Sequence, residues 1–324
     1  MALIRDTEIE NTIRVYTAPL FRAAGLDASS VRIHLVNDPR LNAFVAGGMR
    51  IFIHTGLLTT ADHPGQVIGV LAHETGHITG GHLSRIKEGL KAATAQSIIA
   101  TILGGAAAAA AGRPEGIGAA VLGGATVGQR SILAYTRGHE QAADQAATRF
   151  LDGSGQSSRG LLEFMTILKR EEGIYGASGD PYTRSHPLTQ DRIRFIQNHI
   201  ERSQYSDVPI APELLEAHNR MRGKILGFLN PPVDTLRRYK ASDSSMEANY
   251  ARTVAYMKLN ETQKALAILD PLIEKTPKDP FLHEMRGDIL RDAGRTQEAS
   301  TAYRKAIEIL PWAALIRLSL AQMQ

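Results

Sequence analysis

The chain has 324 residues, 43% of them hydrophobic and 22% charged, a balance that suits a globular protein with a core large enough to fold without disulfide staples. Cysteine is absent, which excludes thiol catalysis, a disulfide framework and cysteine-bound zinc but leaves the compartment open. The 37 basic and 33 acidic residues nearly balance at +4, and no run of Lys and Arg marks a nucleic-acid surface.

The start, Met1 to Glu10, is charged and polar and does not read as a signal peptide. Gln324 falls inside an apparent helix, so the expectation is a trimmed chain. Residues 7–25 show a helical spacing of apolar positions, Ile9, Ile13, Val15, Tyr16, Leu20 and Phe21. A short β section follows: Val31–Val36 alternates, and Asn42–Val45 and Arg50–His54 flank Gly47-Gly48. Residues 65–88 predict a helix that carries the motif described below. The stretch 91–128 is rich in Ala and Gly. Its apolar run from Ser97 to Ala111 has about 15 residues, short of the roughly 20 that span a bilayer, and Arg113-Pro114-Glu115 interrupts it. A mobile helical hairpin beside the site is expected there, with no transmembrane span. Helical patterns return at 129–151, 157–172, 189–204 and 213–229, with Asp207 to Pro212 as a linker and Pro231-Pro232 as a stop.

From about residue 246 the sequence repeats every 34 residues. Asn260 pairs with Gly294, Ala265 with Ala299 and Pro277 with Pro311. This is the tetratricopeptide (TPR) pattern of a turn residue, a small residue at a helix crossing and a closing proline. Gly287 and Tyr303 also fall at expected positions, whereas Thr253 puts a β-branched residue where glycine is usual. Ala314 to Gln324 begins a third unit.

Residues 71–82 read Leu-Ala-His-Glu-Thr-Gly-His-Ile-Thr-Gly-Gly-His. His73 and His77 are four apart, which on a helix aims both imidazoles at one ion. Glu74 then lies beside the position of a reactive water, as the general base of a metallopeptidase does. A third ligand is needed. His82 is one residue short of the spacing that a third histidine ligand takes after such a motif. Glu140, in Arg137-Gly-His-Glu-Gln-Ala-Ala-Asp144, is the better candidate, with Ala142 and Ala143 easing close helix approach. Asp144, one turn on, can orient a ligating histidine through its second ring nitrogen. His139 is a helix neighbour that points elsewhere.

These residues resemble the zinc metallopeptidase family of HtpX, LoiP, BepA and the CAAX prenyl endopeptidases, of the HExxH gluzincin type. The likeness is carried by Asn42-Ala43-Phe44-Val45 with Gly47-Gly48, by His73 to His77 with His82, by Arg137 to Asp144, and by Ser185-His186-Pro187 with Arg192. The resemblance implies Zn2+ as cofactor, His73, His77 and Glu140 as ligands, Glu74 as catalytic residue and Asp144 behind them. It also implies that His186 and Arg192 face the cleft, where either would stabilise the oxyanion. In BepA-like members the histidine instead plugs the open metal position. The strand Arg50, Ile51, Phe52 and Ile53 is expected at the sheet edge, where an extended substrate would pair with it. The likeness is strongest to BepA-like periplasmic proteases with C-terminal repeats. It implies a periplasmic location, polypeptide substrates and contact with the outer-membrane protein assembly machinery through the repeats.

The expected fold is α+β and mostly α: a zincin-like metallopeptidase domain with a small sheet over residues 1–205, a helical connector over 206–245, and a tetratricopeptide α-solenoid over 246–324. The expected reaction is hydrolysis of internal peptide bonds. Two rivals differ in kind: a chaperone or adaptor with a latent or structural zinc site, and a membrane-embedded peptidase that uses 91–128.

Overall fold

A four-stranded mixed sheet and a surrounding set of helices make up the first part of the chain. The computed structural model describes residues 2–82, 85, 91, 94–103, 136–175, 182 and 185–323. The strands are β1 (Leu3–Ile4), β2 (Arg32–Val36), β3 (Ala43–Ala46) and β4 (Arg50–His54), in the order β1-β2-β4-β3. β4 runs parallel to β2, with Arg32 opposite Arg50, and antiparallel to β3, with Phe44 opposite Phe52. Gly47 and Gly48 both have positive φ, which lets the chain fold β3 back onto β4.

That topology corrects the expectation for Arg50, Ile51, Phe52 and Ile53. Their strand is interior, because β2 takes one side of its backbone and the folded-back β3 takes the other. The edge on this side of the sheet belongs to β3.

Helix α1 (Thr7–Ala23) is capped by Asp6, whose side chain accepts from the Ile9 amide at 2.9 Å. α2 (Thr55–Thr60) follows β4 directly, and α3 (Pro64–Thr79) opens with proline at its first position. α3 ends at Thr79, where Gly81, with φ of 60°, interrupts the 65–88 pattern; residues 82 and 85 are helical, and the other positions from 83 to 88 lie outside the described residues. Residues 94–103 are helical, and the rest of the predicted hairpin at 91–128, apart from residue 91, lies outside the described residues. Among the described residues no helix is long and apolar enough to cross a membrane.

Next come α4 (136–153), α5 (Arg159–Tyr175) and α6 (Gln190–Ile200). Ile9, Ile13 and Leu20 of α1, Ile51 and Ile53 of the sheet, Val67 and Leu71 of α3 and Phe164 of α5 form one buried core. Met221 and Ile225 of α7 (Pro212–Leu229) join it, although 206–245 reads as a connector in sequence.

After the short α8 (Pro232–Arg238) come α9 (Met246–Lys258), α10 (Thr262–Lys275), α11 (Pro280–Asp292), α12 (Thr296–Ile309) and α13 (Ala314–Ala321), each packed on the next. Their core is separate and centres on Tyr250, Leu269, Ile289 and Tyr303. The 34-residue period recurs in the backbone: Asn260 and Gly294 both have positive φ, at 57° and 72°. A Cβ on Gly287 would lie 2.5 Å from the Tyr303 ring, so glycine is required against that tyrosine. One repeat earlier the shorter Leu269 stands in place of Tyr303, which accounts for the tolerance of Thr253.

Candidate metal centre

α3 is buried along most of its length, from Gln66 to His77, so its histidines meet protein rather than water. His73 and His77 project from the same face, and their Nε2 atoms lie 3.0 Å apart. The helix α4 crosses this face closely because Gly76 has no side chain: a Cβ there would sit 2.7 Å from the Ala143 carbonyl oxygen. The close crossing delivers Glu140. Its carboxylate oxygens lie 3.3 Å from His73 Nε2 and 3.3 Å from His77 Nε2.

A fourth donor arrives from the segment before α6. His186 Nδ1 is 3.2 Å from each Glu140 oxygen and 3.4 Å from His73 Nε2. These spacings can be tested against an ion. A tetrahedral zinc with ligands at about 2.0–2.1 Å has donor–donor edges of about 3.3 Å. The separations of 3.0–3.4 Å fit that figure, and the donor atoms of His73, His77, Glu140 and His186 all lie within 4.8 Å of one another. The residues present therefore fit a divalent ion.

Glu74 lies beside this cluster and takes no part in it. Both its oxygens are buried without a hydrogen bond, and His186 Nε2 is 3.5 Å from Oε1. Burial pushes its carboxyl up from the ordinary carboxylate range.

Behind the donors, Asp144 accepts from His73 Nδ1 at 2.8 Å, which turns Nε2 toward the cluster. Arg192 grips the same carboxylate with two bonds, Nε to Oδ2 at 2.6 Å and Nη2 to Oδ1 at 2.9 Å. Its third nitrogen, Nη1, pairs with Glu140 Oε2 at 2.9 Å and donates to the Pro187 carbonyl at 3.0 Å. Burial works against the guanidinium charge, but the carboxylates overcome it and raise its pKa. Burial likewise opposes charge on Glu140, and the surrounding histidines hold its carboxyl far below the usual range. Among the histidines, burial pushes His77 down to about 3. Burial pushes His73 the same way, but hydrogen bonds to Asp144 and Glu140 carry it up to about 9.

Every sequence-predicted ligand thus comes to one point, and two expectations change. Arg192 is not free to meet an oxyanion, because its nitrogens are engaged by Asp144, Glu140 and the loop carbonyl. Arg50 to Ile53 contribute no open edge. Two contacts were not foreseen. His82 Nδ1 lies 3.0 Å from His77 Nδ1, on the side away from the donor cluster. Tyr182 packs its ring 4.6 Å from that of His186. His82 had one sequence signal, a histidine just past two glycines that end the motif helix; Tyr182 had none.

A buried His-Glu cluster beside a glutamate that makes no hydrogen bond suits a metalloprotease, and the family comparison puts the chain in that class. The model of "Peptidase family M48" matches residues 5–200, and the chain belongs to that family. A protein of Yersinia pestis named beta-barrel assembly-enhancing protease is 27% identical over 290 residues, 86% of this chain and 58% of its own. The protein of that name from Escherichia coli (strain K12) is 23% identical over 315 residues, 95% of this chain and 63% of its own. A Vibrio cholerae protein that carries the name provisionally is 28% identical over 265 residues, 79% of this chain and 53% of its own. The chain therefore spans between about half and three-fifths of the length of these relatives.

Proposed function

We propose that the chain is a zinc-dependent endopeptidase that cuts internal peptide bonds of misfolded or envelope proteins and is held latent by His186. One observation carries this reading: four protein donors stand at the spacing of a tetrahedral ion, with a buried glutamate that makes no hydrogen bond beside them. His73, His77 and Glu140 would hold the ion, and zinc suits their two imidazoles and one carboxylate. A bound zinc would supply Lewis-acid polarisation of the scissile carbonyl. Glu74 is the catalytic residue. Its carboxylate, free of hydrogen bonds, takes a proton from water as the water attacks and returns it to the departing amine. Asp144 keeps His73 in the orientation that offers Nε2, and Arg192 holds Asp144, Glu140 and the His186 loop in one frame.

His186 fills the corner that a catalytic site keeps open for water or substrate. Activity on this reading requires the His186 segment to withdraw. An extended substrate would pair with β3, the strand at the edge, and not with the interior β4.

The helices from α9 onward are read as tetratricopeptide-type repeats that engage a partner or client, supported by the 34-residue period in sequence and backbone. The peptidase unit is read as residues 1–205 and the connector as 206–245. A periplasmic location and contact with outer-membrane protein assembly are read from the family resemblance, and the relatives' name, beta-barrel assembly-enhancing protease, supports a part in β-barrel assembly.

A second reading is a chaperone or adaptor with a structural zinc, favoured by the closed set of four donors. Zinc titration followed by casein digestion separates the two. The expected outcome is that wild type, Glu74→Gln and His186→Ala all bind zinc, that His186→Ala digests casein fastest, and that adding Glu74→Gln to it stops digestion. Zinc-loaded His186→Ala that leaves casein intact would sink the peptidase reading.

A further inference from the structure

We propose that His82 is a positioning residue for the metal centre: it holds His77 in the tautomer that offers Nε2 to the ion. The inference rests on the reading of His73, His77 and Glu140 as ligands. A neutral imidazole that ligates through Nε2 must carry its proton on Nδ1. For His73 that proton goes to Asp144, 2.8 Å away. For His77 the group in place is His82 Nδ1, 3.0 Å away. His77 Nδ1 donates and His82 Nδ1 accepts, which puts the proton of His82 on its own Nε2.

The local chain is built to make this contact. Gly81, with φ of 60°, reverses the chain just after α3 and brings position 82 back under the helix end. Gly80 leaves the space that the ring needs: a Cβ there would lie 2.2 Å from His82 Nε2. The ring is 3% exposed. Its plane stacks on His139, centroids 4.3 Å apart and planes 2° from parallel. His139 precedes Glu140 in sequence, so one imidazole braces both metal-bearing helices. His73 and His77 are therefore each fixed from behind, one by a carboxylate and one by an imidazole.

The test compares His82→Asn with His82→Leu in the whole chain. The Asn carbonyl oxygen stands about where Nδ1 stood and still accepts, whereas Leu keeps the bulk and loses the acceptor. Zinc affinity is read by competition with a chromophoric chelator, independent of proteolysis. The expected result is an affinity loss of roughly 10–100-fold in His82→Leu and only a few-fold loss in His82→Asn. Equal affinity in wild type and His82→Leu would overturn the proposal, as would equal losses in both variants. Should His82→Leu fail to fold, long-range proton–nitrogen NMR of zinc-loaded wild type decides on His82 itself: a bare Nδ1 with the proton on Nε2 supports the role, and a proton on His82 Nδ1, which could not accept from His77, refutes it. A wild type that binds no zinc would refute the metal centre itself, a result distinct from failure of the His82 role.

Discussion

Asp144 holds two groups at once, and its removal separates orientation from ligation. It gives no donor atom to the cluster, yet His73 and Arg192 both end on its carboxylate. Asp144→Asn keeps the shape and loses the charge, and is expected to lower zinc affinity about 10–100-fold. A chelator competition giving the wild-type value would remove Asp144 from the site. His186 calls for a different measurement, because a plug and an ordinary ligand differ in sign. His186→Ala removes one donor, so zinc affinity should fall while casein turnover rises. Affinity and turnover falling together would mark His186 as a working ligand and remove the latency from the proposal.

Close helix crossings are what convert sequence motifs into a site. Gly76 sits inside the motif helix, and its missing side chain is where α4 lies. Gly69 meets α5 in the same way, with its hypothetical Cβ 2.7 Å from the Leu161 Cα. Neither contact can yield, because the opposing atoms are backbone. Gly69→Val should cost about 1–3 kcal/mol of stability by overpacking, visible as a lower melting temperature. Gly76→Val should do more: it levers Glu140 away from His73 and His77, so zinc binding fails even in the protein that remains folded. Retained wild-type zinc affinity in Gly76→Val would show that α4 does not need this crossing. The helices themselves were legible from apolar spacing. The order of the strands was not, because alternation says which face is buried and nothing about which neighbour pairs. Nothing in the strand's own pattern could therefore overrule the edge position expected for β4 from the family resemblance.

A buried charge network joins the first core to the helical array. Glu8, 2% exposed, accepts from Arg220 at 2.7 Å, from Lys224 at 3.3 Å and from Tyr250 at 3.2 Å. Lys224 also reaches Asp6 at 2.8 Å, Arg220 bonds Asp279, and Thr7 donates to Glu284 at 2.6 Å. Residues from α1, α7, α9 and the start of α11 thus meet in one place. Arg220→Ala leaves Glu8 buried with less compensation and should cost about 3–5 kcal/mol in denaturant unfolding; a loss under 1 kcal/mol would show that the junction carries little. Burial pushes the Glu284 carboxyl up to about 8. A carboxyl raised on folding favours the folded state fully below its unfolded value of about 4.5, and that contribution fades as pH rises through about 8. Glu284→Gln should therefore flatten the decline of melting temperature between pH 5 and about 8, and an unchanged pH profile would refute the assignment.

By itself the sequence picked out the His73/His77 pair, Glu74 beside it and the 34-residue period, because these are local: helix geometry fixes what residues four apart can do, and a repeat announces itself by recurrence. The tertiary structure alone decided that β4 is interior, that Arg192 is bound up by Asp144 and Glu140, and that His82 reaches His77. Each of these depends on the direction in which an atom points after distant segments have packed. Spacing along a chain places a residue on a face, and only the packed neighbours determine which of its atoms remain available for chemistry.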